Sequence, residues 1–136
     1  MQTVPHNMAT LYFDNRYARL PPAFYRKHDP TPLAAPYLVR VSDDAAALLD
    51  LDPDETRSER FLNMLAGNLV PPGAEPLAML YAGHQFGTFV PQLGDGRAIL
   101  LGEVVNARRE RWTLQLKGAG ETPFSRTADG RAVLRS

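Results

Sequence analysis

The residues of this sequence whose types and spacing could do chemistry are a pair of glycines and a distant lysine. Gly94 and Gly96 flank Asp95 before one apolar run, and Lys117 ends a second run that alternates apolar and polar residues. Glycine lets backbone N–H groups approach an anion closely, and an ammonium group beside them adds a compact positive charge. This combination suits the phosphates of a nucleotide.

The segment 94–117 must fold back on itself to bring these groups together. We interpret it as a glycine loop, a strand, a turn near 107–108 and a second strand. In an antiparallel pair the partner numbers would sum to about 215, which places Lys117 opposite Ala98. Alternation then divides the second strand into an apolar face for the core and a polar face for a cleft or solvent. The predicted apolar set is Trp112, Leu114 and Leu116, and the polar set is Thr113, Gln115 and Lys117.

The same spacing also fits an ordinary hairpin with a lysine at its edge. Gly-x-Gly pairs are common, and the third glycine of the usual phosphate-binding fingerprints is missing, so spacing alone favours this alternative. One compositional observation points the other way. The chain has thirteen arginines but only two lysines, Lys27 and Lys117. A lysine at 117 therefore hints at a site where a guanidinium cannot substitute.

A six-residue pattern, Asp-Gly-Arg-Ala-(Ile/Val)-Leu, begins at Asp95 and again at Asp129. Six residues are too few to indicate a repeated fold. Either both loops present a glycine backbone and an arginine to one anion, or the chain contains two similar turns. The pattern leaves this choice open, and we hypothesise that Arg131, like Arg97, contacts phosphate.

Composition bounds the function. The chain has 136 residues, 44% of them apolar, no formal net charge and no cysteine. These values fit one domain or part of one, exclude disulfides and thiol chemistry, and give no reason to expect a nucleic-acid partner. No run approaches the roughly 20 apolar residues of a membrane span, and no signal peptide is evident. We therefore expect a soluble, cytoplasmic protein with no membrane partner.

The three histidines show no metal-ligand spacing. His84 lies between glycines, and a buried histidine there could belong to a site. A buried histidine that hydrogen-bonds to backbone is the more common case, and we favour that interpretation.

The first part of the chain predicts an arm followed by a helical subdomain. Residues 1–36 are rich in aromatic side chains and prolines, and we interpret them as an extended N-terminal arm that packs on the body. Residues 37–76 predict the helical subdomain, which opens with a short strand at 37–41.

Two helices are predicted within this subdomain. Ser42 is a good N-cap followed by two aspartates, so the first helix is predicted over 43–51. The second covers 54–66, with Gly67 just after its end. Together with the strands of residues 77–136, these helices predict an α+β fold.

Several motifs, taken together, resemble the selenoprotein O family, also called the YdiU family. Shorter matches occur at 13–15 and 37–39, so the resemblance covers nearly the whole chain from about residue 11. The motifs that carry it are YAGHQFG at 81–87, PQLGDGRA at 91–98, LKGAG at 116–120, TPFSR at 122–126 and DGRAVLRS at 129–136.

The resemblance implies a protein-kinase-like fold with an unusual activity. Members of the family are protein adenylyltransferases, which transfer AMP from ATP to Ser, Thr or Tyr hydroxyls of proteins. ATP lies inverted, so that its α-phosphate faces the acceptor. Residues 77–136 would then be part of the small lobe, with its antiparallel sheet. The positions that match the family's nucleotide-binding residues are Gly94, Gly96 and Arg97 in the glycine loop, Lys117 on the third strand, and Asp129 and Gly130 in a further loop.

The resemblance also implies that the catalytic aspartate and the Mg²⁺ ligands lie beyond residue 136. Residues 131–136 look like the start of a helix, as if the chain were cut inside a domain. We therefore expect no catalytic or metal-ligating residue in this fragment, which should be inactive alone. The alternatives are an ordinary phosphotransferase, an ATP-binding regulatory module of the pseudokinase kind, and a packing unit without a ligand.

Overall fold

The structure is a computed structural model that describes residues 4–132. It is a small α+β fold built on a five-stranded antiparallel sheet, so the predicted class is confirmed. The strand order is β1-β2-β4-β5, and β3 pairs with β2 outside this path. The strands are β1 (Tyr25–Lys27), β2 (Leu77–Gln85), β3 (Thr88–Gly94), β4 (Ala98–Val105) and β5 (Arg111–Lys117), and the α-helices are α1 (Asp43–Leu48) and α2 (Glu59–Leu65).

The β4–β5 hairpin has the predicted register at the end that carries Lys117. Ala98 pairs with Lys117. The register shifts between Leu100 and Gly102, and the rest of the hairpin pairs one residue out of step with its first part. This bulge fits Gly102, which has φ +149° and is covered by the Asn15 side chain. The predicted position of Lys117 opposite Ala98 is therefore confirmed.

The two faces of β5 differ as alternation predicts, with one correction. Leu116 is buried in a core with Ile99 and Leu101, whereas Gln115 and Lys117 are exposed. Trp112 was expected in the core, but 37% of its surface is accessible. It lies at the far end of β5, where it lines an apolar groove beside α1 and α2 instead of being covered by them.

The N-terminal arm packs on both faces of the sheet: Met8 and Leu11 are buried with the helices, and the part around Tyr17 and Tyr25 packs on the opposite face. Tyr25 is buried there with Leu77 and Leu100, and Tyr17 packs beside them. The aromatic side chains at positions 17 and 25 are packing residues, as expected. The arm is not extended throughout, because it contains 3₁₀ turns at Tyr17–Arg19 and Pro22–Phe24.

Buried Glu103 on β4 binds the middle of this arm. Its carboxylate accepts hydrogen bonds from the backbone N–H groups of Arg16 (3.0 Å) and Tyr17 (3.3 Å) and from the Arg16 Nε (3.0 Å). Burial raises the pKa of Glu103, but these hydrogen bonds and the charges of Arg16 and Arg111 outweigh it and hold the pKa below its ordinary value. The carboxylate is therefore kept ionised by the arm that it holds.

The helices are shorter than predicted. The Ser42 side chain accepts the Ala45 N–H at 3.3 Å and caps α1 as expected, but α1 ends at Leu48 and not at residue 51. The single helix predicted over 54–66 is wrong in its first half. Ser58 caps α2, and the residues before it form a separate 3₁₀ turn, Glu55–Arg57.

The strand predicted at 37–41 is wrong. These residues form no helix or strand, and Tyr37 and Val39 are 79% and 85% exposed. Their side chains favour a strand, but no strand of the described chain pairs with them. The end of the predicted C-terminal helix, at 133–136, lies outside the described residues. Among residues 4–132, no helix has the length and apolar character that a membrane span needs.

Candidate functional site

A cleft of about 470 Å³ opens where β3 passes into β4. The loop at this point contributes Gly94, Gly96 and Arg97 to the lining of the cleft, and the end of β5 contributes Lys117. The hairpin register explains this proximity, because Lys117 pairs with Ala98, the residue that follows the loop. The cleft lining consists of Tyr81, Gly94, Asp95, Gly96, Arg97, Ala98, Gln115 and Lys117.

The cleft carries two cations and one carboxylate. Neither Arg97 nor Lys117 forms an ion pair within the described chain, whereas Arg16, Arg60 and Arg111 do. The carboxylate of the cleft therefore does not neutralise its cations, and the cleft has a net positive charge. An anion could enter without displacing an existing ion pair.

That carboxylate, Asp95, is held by other partners. The Tyr81 hydroxyl donates to its Oδ1 at 3.0 Å, and the Gln115 amide donates to its Oδ2 at 3.4 Å. Partial burial and the neighbouring Asp95 carboxylate raise the pKa of Tyr81, so its hydroxyl stays protonated at neutral pH and keeps donating. Sequence reasoning assigned no role to Tyr81, although the β2–β3 pairing places it beside the loop.

Close packing of the loop against Phe124 explains why positions 94 and 96 are glycine. A Cβ at position 94 would lie 2.5 Å from the Phe124 ring, and a Cβ at position 96 would lie 3.0 Å from the Phe124 carbonyl oxygen. Neither glycine has a positive φ, so conformation alone does not require them. A side chain at position 94 would overlap Phe124, and one at position 96 would be tightly packed against the turn at 122–125.

The second Asp-Gly-Arg loop lies elsewhere. The Gly130 carbonyl accepts the Gly120 N–H at 3.1 Å, and the Asp129 carboxylate accepts the Arg131 N–H at 2.9 Å. Asp129 and Gly130 do not line the cleft. This loop therefore packs on the turn that follows Lys117.

The hypothesis that Arg131 contacts phosphate finds no support in this geometry. Its guanidinium donates to the backbone carbonyls of Thr31 (3.4 Å), Pro32 (3.2 Å) and Gly118 (3.3 Å). These contacts direct the positive charge toward the protein, where it ties the N-terminal arm to the end of β5.

His84 does not belong to the cleft, and its predicted burial is wrong. It is exposed on β2, where its ring packs edge-on against Phe89 with the centroids 5.4 Å apart. No group of three or more His, Cys, Asp or Glu residues that could hold a metal ion occurs within residues 4–132.

An apolar groove of about 440 Å³ lies on the other face of the sheet, between Trp112 and the two helices. Its lining is almost entirely hydrocarbon, with Arg40 as the one charged side chain. The cleft beside Lys117 is therefore the better candidate for a phosphate-bearing ligand.

Comparisons with known proteins place the chain in a family. Residues 7–136 match the family model described as Protein adenylyltransferase SelO. A protein nucleotidyltransferase YdiU of Thiobacillus denitrificans is 58% identical over 129 residues, which are 95% of this chain and 26% of that protein. Its counterpart from Ectopseudomonas mendocina is 60% identical over 126 residues, 93% of this chain and 26% of that protein. The chain thus spans about a quarter of the length of these curated relatives. Since the family model covers nearly all of its residues, the chain belongs to the SelO family.

Proposed function

We propose that this chain is the ATP-binding part of a protein nucleotidyltransferase that transfers AMP from ATP to Ser, Thr or Tyr hydroxyls of proteins. The observation that carries the proposal is the cleft, where Arg97 and Lys117, both without ion pairs in the described chain, flank a glycine loop. The names of the relatives support nucleotidyl transfer. The sheet and its lysine-bearing strand are compatible with the small lobe of a protein-kinase-like fold.

The loop offers backbone donors as well as side chains. Within residues 4–132 the N–H groups of Gly96 and Arg97 have no hydrogen-bond acceptor. Successive free backbone N–H groups in a loop commonly bind anions. Arg97 can add a bidentate contact to a phosphate, and Lys117 can add a compact charge. Asp129 and Gly130 match the family's nucleotide-binding positions but do not line this cleft, so a contact from them requires the nucleotide to extend beyond it.

In AMP transfer the acceptor hydroxyl oxygen forms a bond to the α-phosphorus. The bond from that phosphorus to the bridging oxygen breaks, pyrophosphate leaves, and the hydroxyl proton passes to a base. Charge accumulates on the phosphate oxygens during this step, so donors fixed around them lower the barrier. Lys117 and the loop N–H groups are suited to that role. The catalytic base would come from the part of the full-length protein that this chain does not include.

Mg²⁺ would neutralise phosphate charge when it is bound. The cleft lining of this chain does not suit it, because Asp95 is the one carboxylate there and already binds Tyr81 and Gln115. We therefore assign the Mg²⁺ ligands to the rest of the full-length protein and derive no step through the metal from this chain.

The reaction is tested with ATP radiolabelled at either the α or the γ position, using a full-length protein that carries this sequence and a protein acceptor. Transfer of the α label with release of pyrophosphate is the expected result. Transfer of the γ label would instead indicate an ordinary phosphotransferase. ATP binding without transfer of either label would indicate a regulatory module.

The binding site is tested by comparing the two lysines of the chain. Lys117→Ala should weaken ATP binding about tenfold or more, because a hydrogen bond to a charged group is worth roughly 1.5–3 kcal/mol. Lys27→Ala is the matched control, since Lys27 is exposed on β1 and does not line the cleft. Calorimetry measures both affinities. Unchanged ATP binding in the Lys117 variant would remove the proposed site.

A further inference from the structure

The turn at 122–125 holds the glycine loop from behind through two buried hydroxyls. The Thr122 Oγ1 donates to the Asp95 carbonyl at 2.5 Å, and the Ser125 Oγ donates to the Gly96 carbonyl at 2.6 Å. Both residues are only 8% exposed. Two successive carbonyls of the loop are therefore bound by side chains of one turn.

The turn fixes the direction of these hydroxyls by its own backbone. The Thr122 N–H donates to the Ser125 Oγ at 2.7 Å, and the Phe124 N–H donates to the Thr122 Oγ1 at 3.1 Å. A hydroxyl has one hydrogen to donate, and here each oxygen already accepts from an N–H group. The O–H of each residue is thus directed to a loop carbonyl.

Peptide geometry carries this constraint to the other side of the loop. All peptide bonds in the described chain are trans, and in a trans peptide the C=O and N–H groups point in opposite directions. Holding the Asp95 carbonyl toward Thr122 turns the Gly96 N–H away from the turn. Holding the Gly96 carbonyl toward Ser125 does the same for the Arg97 N–H.

The side opposite the turn is the side of the cleft. Phe124 packs with Leu116 in the core, and Leu116 and Lys117 are neighbours on β5, so their side chains lie on opposite faces. Lys117 lines the cleft together with the loop. Both N–H groups therefore face the ammonium side, where neither has an acceptor within residues 4–132.

We propose that Thr122 and Ser125 are positioning residues, whose hydroxyls orient the Gly96 and Arg97 N–H groups toward the phosphates of the nucleotide. The inference rests on the proposed function, because it assumes that the cleft binds ATP. It assigns a specific contribution to a turn that does not line the cleft.

The test uses the full-length protein that carries this sequence, with Thr122→Val and Ser125→Ala removing one hydroxyl each. Thr122→Ser is the conservative control, since it retains the hydroxyl. Calorimetry with ATP and with adenosine separates phosphate contacts from contacts to the nucleoside. We expect ATP affinity to fall about tenfold in each hydroxyl-free variant, adenosine affinity to stay unchanged, and Thr122→Ser to bind ATP like the wild type.

A second measurement needs no variant and covers the case in which Thr122→Val does not fold. Titration of the wild-type protein with inorganic pyrophosphate should shift the amide NMR signals of Gly96 and Arg97 more than those of the β4–β5 turn. Equal or absent shifts at these two amides would overturn the orientation that we infer.

The outcomes distinguish the inference from the function on which it rests. Unchanged ATP affinity in Lys117→Ala defeats the proposed function. If Lys117→Ala weakens binding but Thr122→Val and Ser125→Ala bind ATP normally, only the positioning role is wrong. Equal losses for ATP and adenosine, with a lowered melting temperature, would mean that the hydroxyls serve stability alone.

Discussion

The two Asp-Gly-Arg loops share a sequence pattern but use their groups in opposite ways. In the loop at 95–97, the Asp95 and Gly96 carbonyls accept hydrogen bonds from the hydroxyls of the turn at 122–125. The Arg97 side chain lines an open cleft. At 129–131 the glycine carbonyl accepts a backbone N–H of the neighbouring turn, and Arg131 donates to three carbonyls. One loop leaves its positive charge available, and the other directs its charge to the protein.

The difference shows that the surroundings of a loop decide what an arginine within it can bind. An arginine that lines an open cleft is available to a phosphate. An arginine surrounded by backbone carbonyls satisfies its donors there and is not available to a phosphate. Of the two alternatives that the repeated pattern left open, the geometry of Arg131 favours two similar turns with different roles.

The largest expected difference between the loops concerns their glycines. Gly130 has φ +71°, and a Cβ there would overlap the Gly120 carbonyl. Gly96 has no such φ and only a close contact with the Phe124 carbonyl oxygen. Gly130→Ala should therefore lower the free energy of unfolding by about 3 kcal/mol or more, from strain and overpacking together, and Gly96→Ala by about 1 kcal/mol.

Urea unfolding of this 136-residue chain, followed by the fluorescence of Trp112, which is its single tryptophan, measures both changes. Gly73→Ala is a useful control, because Gly73 also has a positive φ but its nearest neighbour is a side chain at 3.4 Å. Equal losses for Gly96 and Gly130 would show that the two loops are constrained alike.

Replacing the arginine of each loop should affect a different property, stability for Arg131 and ATP binding for Arg97. Arg131→Ala should cost about 1–3 kcal/mol of stability, because a partly buried guanidinium loses hydrogen bonds to three carbonyls. Arg97→Ala should change stability by less than about 0.5 kcal/mol, as exposed residues usually do, yet weaken ATP binding about tenfold. Urea unfolding and calorimetry together test the pair. A strong loss of ATP affinity with unchanged stability in the Arg131 variant would reverse our assignment.

Local patterns predicted the parts of this fold that depend on near neighbours. The pairing of Ala98 with Lys117 followed from one turn and strict alternation, and the Ser42 cap followed from a side chain and the N–H three residues later. The cleft was predictable to the same extent, because its lysine and its glycine loop belong to one hairpin.

Two of the failed predictions depended on partners far along the chain. Residues 37–41 have strand-forming side chains but no strand beside them, and Trp112 has the apolar character of a core residue without elements that cover it. The hydroxyls of Thr122 and Ser125 act across more than twenty residues, so their motif alone did not reveal what they bind. Tertiary packing decided each of these cases.

The pH dependence of stability should distinguish the two side chains that hold the N-terminal arm, Arg131 and Glu103. Arg131 holds the arm through carbonyls, which do not titrate, whereas Glu103 holds it through a carboxylate. Burial raises the pKa of Glu103, but the hydrogen bonds and charges around it hold the value below 4.5 in the folded protein. A group whose folded pKa is lowered stabilises above its unfolded pKa, and this contribution is lost as pH falls through the folded value.

We therefore expect the free energy of unfolding to fall below about pH 4.5, and to fall less steeply in Glu103→Gln, which cannot ionise. Arg131→Ala should retain the wild-type slope from a lower starting stability. Glu55, whose pKa is also lowered, mainly by Arg60, should account for part of the slope that the Glu103 variant keeps. Urea unfolding at a series of pH values measures each curve. If Arg131→Ala flattened the acid limb as Glu103→Gln does, the two anchors would be coupled, and the second loop would do more than bind carbonyls.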